Sequence, residues 1–300
     1  MDMTQNKCCR HGANLRRRRR RRRKILRSII FSCSIIAVAV FVAVGSRMIR
    51  YGDGRTNKYD VEAGNNTYDN VVIENSKISE KNKIQNNQSM LDDIMNSTQY
   101  PKQLKDLALK NEEALEFVYD YPAEHVKEHT IDLTEEASMD SVPLFVQWDK
   151  RWGYEKYSGN FFAASGCGPT TLSMVVVYLT HNREASPIAV AKYSKEAGYS
   201  VDGSGSSWTL ISEGCRHYGV KAKAVALDES RMKAELDEGH PIVVNVGPGD
   251  FTDTGHFMVI TGYDDEGFSI NDPNSIEKSG KRWLFKNISS QIRAVWSMYV

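Results

Sequence analysis

The spacing of apolar and polar positions divides the chain into regimes of different character. Ser28 to Ser46, "SIIFSCSIIAVAVFVAVGS", carries no charge and is apolar apart from its serines and glycine. About 18 or more such residues suffice to cross a hydrocarbon core as a helix. Residues 47–90 are rich in Asn, Lys, Glu and Gly and sparse in apolar side chains. They bury too little to offset the entropy of ordering, and a flexible stalk is expected. From Leu91 the pattern becomes periodic. "YPKQLKDLALKNEEALEFVYDYP" sets Leu104, Leu107 and Ala108, then Ala114, Leu115, Phe117 and Val118, at helical spacings. Asn111 before Glu112 and Glu113 predicts the cap of a second short helix, and Pro122 its end. This helical prefix, 91–140, is expected to pack on the main domain and to hold no chemistry.

The main domain, 141–300, reads as helices first and strands afterwards. "PTTLSMVVVYLT", with Leu172, Val175, Val176 and Leu179 on one face, "SPIAVAKYSKEAG" and "SSWTLISEGCRHYG" predict helices. "KAKAVAL", "PIVVNVG", "HFMVITGYD", "GFSINDP", "KRWLF" and "RAVWSMYV" predict strands, with a short helix in "DESRMKAELDEG". Helices followed by an antiparallel sheet make an α+β arrangement.

Charge sharpens the picture because it is segregated. Residues 1–50 hold fourteen of the 39 Lys/Arg but one of the 38 Asp/Glu, which leaves 25 basic against 37 acidic residues and a net −12 in 51–300. A domain that acidic repels nucleic acid and anionic lipid. The run "RRRRRRRRK" just before the apolar segment is better explained by topology. Cytoplasmic flanks carry the excess of Lys/Arg, so 1–27 is expected as a cytoplasmic tail, 28–46 as a single-pass signal anchor in the cell membrane, and everything beyond as outside. The competing readings are a nucleic-acid or nuclear-localisation patch and a cleaved signal peptide ending near "AVG". The apolar run is longer than the ~7–15 residues usual in signal peptides, which favours the anchor.

Of the five cysteines, Cys167 and Cys215 fall in the outer domain. Two cysteines make no disulfide framework, and no CxxC or HExxH run is present, so neither a structural zinc nor any cofactor is expected. His125 and His129, one helical turn apart, read as exposed polar residues rather than metal ligands. Cys215 in "LISEGCRHYG" reads as a buried thiol rather than a disulfide partner of Cys167. "DGSGSSW" reads as a turn and helix start that borders a cleft.

Cys167, in "SGCGPTTLSM", stands at the mouth of a helix. Pro169 suits the first helical position, which sets Cys167 beside unpaired N–H groups and the positive end of the helix dipole, where thiolate is favoured over thiol. Gly166 and Gly168 would leave room for a substrate backbone. The alternative is a small buried apolar residue. A cysteine nucleophile needs a base, and the base an orienting partner. His181, His217 and His240 sit at helix ends or beside turns, whereas His256 opens a strand after "GPGDFTDTG". If Tyr263 pairs with Phe268, His256 falls opposite about Ser275, and a slip of two or three residues brings Asn271, Asp272 or Asn274 alongside. Gln147 in "VPLFVQWDKRWG" is the candidate oxyanion donor beside the Cys167 N–H.

Together, "VPLFVQWDKRWGYEKY", "SGCGPTTLSMVVVYLT", "HYGVKAKAV", "GHPIVVNV" and "GHFMVITGYDDEGFSINDPNS" resemble, in order, the C39-like peptidases, relatives of the cysteine peptidases that cleave bacteriocin leaders. The resemblance spans about 141–300. It implies a papain-like cysteine peptidase fold, with Cys167 as nucleophile, His256 as general base and acid, Asp272 orienting His256, and Gln147 as oxyanion donor. In the leader-processing enzymes the glutamine lies a few residues before the cysteine, whereas Gln147 is twenty residues upstream. No ABC transporter is expected from one span, so export-coupled leader removal does not carry over. The expected function is a membrane-anchored bacterial cysteine peptidase acting on a peptide or protein, with no nucleic-acid partner. The alternatives are a cell-wall peptide amidohydrolase using the same chemistry and a non-catalytic papain-like binding domain.

Overall fold

The computed structural model describes residues 67–300, with side chains from residue 81 onward. The basic tail 1–27 and the apolar segment Ser28 to Ser46 lie outside the described residues, as does the first part of the stalk. Among the described residues no helix is long and apolar enough to cross a membrane.

The first element corrects the stalk reading. Helix α1 covers Thr67–Asn96, where a flexible segment is expected to residue 90. The stretch is polar, but it contains neither Gly nor Pro, so nothing in it breaks a helix. Its C-terminal end is fixed by Ile94, which is fully buried. Helix α2 (Lys102–Lys110) and helix α3 (Leu115–Tyr119) follow, with Asn111 between them accepting the Glu113 N–H as the predicted cap. Pro122 does not end the helical run. It sits in the first turn of a further short helix, Tyr121–Glu124, where its missing N–H leaves no bond unmade.

Leu104, Leu107, Ala108, Ala114, Leu115, Phe117 and Val118 close over Phe161 and Ala163, with Trp148 and Tyr154 at the edge. The prefix is thereby docked on the main domain. The Phe117 ring stacks on Tyr154 at a centroid distance of 4.2 Å and lies so close over Gly153 that a Cβ there would meet it at 2.7 Å. Phe117→Ala should cost about 3–5 kcal/mol by emptying this contact. The check is a fall in the denaturant midpoint with the prefix cleaved first in limited proteolysis; an unchanged midpoint would mean that hydrogen bonds hold the prefix.

Helix α4 (Cys167–Thr180) is the centre of the main domain. Ten consecutive residues, Gly168 to Val177, are buried, Thr170, Thr171 and Ser173 among them, so in place of the single apolar face expected from Leu172, Val175, Val176 and Leu179 the helix is enclosed on every side. It ends at His181, whose left-handed φ of 57° closes the last turn. Helix α5 (Pro187–Glu196) packs beside it. The sheet comprises β1 (Lys221–Ala224), β2 (Ile242–Val246), β3 (His256–Asp264), β4 (Gly267–Asn271), β5 (Arg282–Trp283) and β6 (Ile292–Tyr299). Its spatial order is β1-β6-β2-β3-β4-β5, antiparallel throughout. Strand alternation sorts the two faces. Val243, Phe257, Val259, Trp296 and Met298 face α4. Ile242, Val244, Val246, Met258 and Ile260 face the opposite core, with Met232 of helix α6 (Glu229–Asp237). The Thr171 hydroxyl donates to the Phe257 carbonyl at 3.1 Å and ties the first turn of α4 to the start of β3. That junction is where the candidate residues meet.

Candidate active site

Cys167 is the first residue of α4, with Gly166 as its N-cap and Pro169 third in the helix rather than first. The N–H groups of this turn have no intrahelical partners, so the proline still costs no bond. The flanking glycines do different work from that expected. A Cβ on Gly166 would meet the Phe162 ring at 2.6 Å, and one on Gly168 would meet the Ser206 hydroxyl at 2.5 Å. Both are buried. They let the helix mouth press against its own scaffold and do not open it to a substrate.

His256 begins β3. Tyr263 pairs with Phe268 as expected, but a register shift between Ile260 and Gly262 moves the remaining pairs, and pairing ends at Val259 with Asn271. In the shifted register Asp272 falls opposite Met258. His256, two residues along, is its diagonal neighbour on the same face. By register alone Asn274 would face His256; the strand ends at Asn271 and the chain turns, and of the three alternatives it is Asp272 whose side chain reaches the ring. Its Oδ1 accepts from His256 Nε2 at 2.7 Å, with both side chains buried. Asn271 instead donates to the carbonyls of Val142 and Pro143.

With Nε2 engaged, the Nδ1 side of the ring is left to the thiol. Burial alone would hold Cys167 in its neutral form. The hydrogen bond and positive charge of His256, joined by the N–H groups of Phe257 and Gly168, outweigh it and lower the thiol pKa. Burial likewise opposes the imidazolium, and the Asp272 carboxylate and the Cys167 sulfur overcome that opposition and raise the His256 pKa. The two shifts have one shared cause, the contact between the Cys167 thiol and the His256 ring, and both favour the charged forms.

Gln147 lines the same cavity as Cys167 and His256. Its Nε2 donates to the Ala163 carbonyl at 2.7 Å, which fixes the orientation of the amide and leaves one N–H over. Its Oε1 is buried without a partner. Two cavities of about 500 Å³ and about 680 Å³ meet at Cys167 and share Asn160, Ala164, Thr254 and Gly255. One is bounded by Asp106 and Lys110 of α2 and by the 249–255 loop. The other is bounded by Gly203 to Ser206, so the "DGSGSSW" turn does border the cleft, together with Gly247 and Arg293. A groove running through the sulfur suits an extended chain.

Several contributors escape the linear pattern. The Asn245 side chain donates to the His256 carbonyl, and the Ser279 hydroxyl accepts from the Asp272 N–H. Ser279 lies outside every stretch singled out above, and Asn245, inside "GHPIVVNV", is read there only as part of a strand. The prefix, expected to hold no chemistry, supplies Asp106 and Lys110 to the cleft wall. The other histidines among the described residues lie apart from the pair: His181 caps α4, His217 stacks on Tyr193, His240 meets Glu235, His125 bonds the Tyr121 carbonyl and His129 faces Glu124. Among the described residues no His/Cys/Asp/Glu group could hold a metal ion. Cys167 and Cys215 are both free thiols, and burial pushes the Cys215 pKa up to about 11.

Residues 139–300, more than half the chain, match the Peptidase_C39 like family. The chain belongs to that family. The chain is similar to the peptidase domain of Streptococcus ComA, a bifunctional ABC transporter involved in a quorum-sensing pathway. That match has 20% identity over 45% of this chain and 90% of the other, with a TM-score of 0.36. A putative C39-like peptidase from Bacillus anthracis is similar at 17% identity over 57% of this chain and 98% of the other, with a TM-score of 0.33. No curated protein sequence matches the chain.

Proposed function

We propose that the C39-like domain is a cysteine peptidase, and the observation that carries this is the linked set Cys167, His256 and Asp272 at the floor of a through-running groove. A peptide bound across the groove presents a carbonyl carbon to the Cys167 sulfur. As the C–S bond forms, the carbonyl oxygen takes up negative charge, received by the Cys167 N–H and the free N–H of Gln147 Nε2. The His256 imidazolium gives its proton to the departing nitrogen, the C–N bond breaks, and an amine leaves a thioester behind. Neutral His256 then takes a proton from water, the resulting hydroxide attacks the thioester, and the carboxylic acid departs as the thiolate–imidazolium pair re-forms. Asp272 holds the ring and balances its charge throughout.

The test uses the full-length chain. Cys167 should react with iodoacetamide at pH 6 well ahead of a free thiol in the same sample, scored by mass spectrometry of its peptide, while Cys215 stays unmodified. Hydrolysis of a mixed peptide pool should stop in step with that modification. A Cys167 that reacts only above about pH 8.5, like a free thiol, would overturn the reading and leave a binding domain.

A further inference from the structure

We infer that Asn111 and Glu113 of the helical prefix are positioning residues for the His256–Asp272 pair, so that a segment preceding the family-matched residues completes the site. The inference rests on the peptidase reading of that pair. Asp272 sits where β4 ends and the chain turns towards the short helix Ile276–Ser279. Its carboxylate is engaged through one oxygen: Oδ1 accepts from His256 and from the Asn274 N–H at 2.8 Å, while Oδ2 is buried without a partner. Its aim at His256 therefore depends on where the turn 272–277 is held.

Two prefix side chains hold it from one side. Asn111 Nδ2 donates to the Asn274 carbonyl at 2.9 Å and to its Oδ1 at 3.1 Å, while Asn111 Oδ1 accepts the Glu113 N–H at 3.0 Å. Every polar atom of this amide is thus committed to the junction. The Glu113 carboxylate accepts the Ser275 hydroxyl and the N–H groups of Ile276 at 2.7 Å and Glu277 at 3.1 Å. These backbone donors open the short helix and have no other partner within it. A continuous path therefore runs Asn111, Asn274, Asp272, His256. From the other side the Gln147 N–H bonds the Pro273 carbonyl at 2.7 Å, and Trp148 Nε1 donates to the Asn274 carbonyl at 3.1 Å. The turn is gripped between prefix and main domain, and loss of the prefix grip lets the carboxylate drift while Trp148 still limits how far.

The experiment is the pH profile of Cys167 alkylation in the full-length chain, compared among the parent, Glu113→Ala, Glu113→Gln and Asn111→Ser. Serine is as good a helix cap as asparagine, so Asn111→Ser keeps the cap and removes only the donor to Asn274. Glu113→Gln keeps one acceptor oxygen. Glu113→Ala and Asn111→Ser should slow alkylation at pH 6 about tenfold, since ångström-scale misplacement of a catalytic group costs this much or more. Rates at pH 9 should hardly change, and Glu113→Gln should fall between Glu113→Ala and the parent. A merely structural role would alter stability without moving the ratio of the two rates. If Glu113→Ala unfolds, betrayed by alkylation of Cys215, the capped Asn111→Ser variant decides. A parent whose Cys167 is unreactive at pH 6 defeats the peptidase reading itself. A reactive parent with an unchanged ratio in Asn111→Ser and Glu113→Gln overturns the positioning role alone.

Discussion

His256→Ala is expected to remove the low-pH reactivity of Cys167 while leaving its reaction above pH 9 largely intact. In the parent, the hydrogen bond and charge of His256 lower the thiol pKa against the opposing effect of burial. Without the ring only burial and the backbone donors of Phe257 and Gly168 remain, and burial is the larger influence. The thiol pKa then returns to the ordinary range or above it. At pH 6 a thiol of ordinary pKa ~8.5 is only about 0.3% ionised. The rarer thiolate is intrinsically more nucleophilic, which recovers part of the loss, so the net fall in rate at pH 6 should be about ten- to a hundredfold. The sign matters as much as the size. Because the parent thiol has a lowered pKa, its advantage exists on the acid side and vanishes as the pH rises past the free-thiol value. A variant slowed equally at pH 6 and pH 9 would instead indicate a damaged or closed cleft. The Cys215 peptide, whose thiol burial keeps protonated, reports global opening in the same sample.

How much of this could be read from the sequence depends on how far apart the determinants lie. Cys167 is legible because a helix mouth is a local event, coded within a few residues by two glycines, a proline and the apolar run after them. The strands are legible for the same reason: "IVVNV" and "HFMVI" announce buried strands by composition. The reason for the glycines was not legible, because Phe162 and Ser206, which need the space, approach only in the folded chain. The partner of His256 was legible to within a few residues and no better. Counting along a regular hairpin overshoots to Ser275. The shift between Ile260 and Gly262 moves the facing residue only to Asn274 and leaves no unambiguous mark in "VITGYD", and the end of the strand at Asn271 does the rest. Least legible was the prefix. Its apolar spacing gives the helices and even the Asn111 cap, but Asn111 and Glu113 reach partners more than 160 residues away. Nothing local distinguishes a glutamate that caps its own helix from one that also holds a distant turn.

Asp272→Asn probes the charge in the site while nearly conserving shape, and it should narrow the working pH range from both ends. Asp272 is fully buried and lends its charge to a ring that burial would otherwise keep neutral. Asparagine can still offer an oxygen to His256 Nε2–H and the Asn274 N–H, but it brings no charge. Its NH2 would then occupy the place of Oδ2, which is buried without an acceptor, at a cost of about 1–3 kcal/mol. The flipped amide would donate to Nε2, which forces the proton onto Nδ1 of a neutral ring, and would set its NH2 against the Asn274 N–H that Oδ1 now accepts. The ring can then no longer take a proton from the thiol. Either way the imidazolium loses its support, its pKa falls from the raised value, and the thiol pKa climbs because its cationic neighbour is less often charged. In peptide hydrolysis the acid limb, set by thiolate formation, should move up, and the alkaline limb, set by loss of the proton owed to the leaving amine, should move down. Alkylation reads the acid limb alone and should slow about ten- to a hundredfold at pH 6. An unchanged acid limb in Asp272→Asn, beside a lost one in His256→Ala, would assign Asp272 the holding of the ring and place the source of the ion pair entirely in the contact between His256 and Cys167.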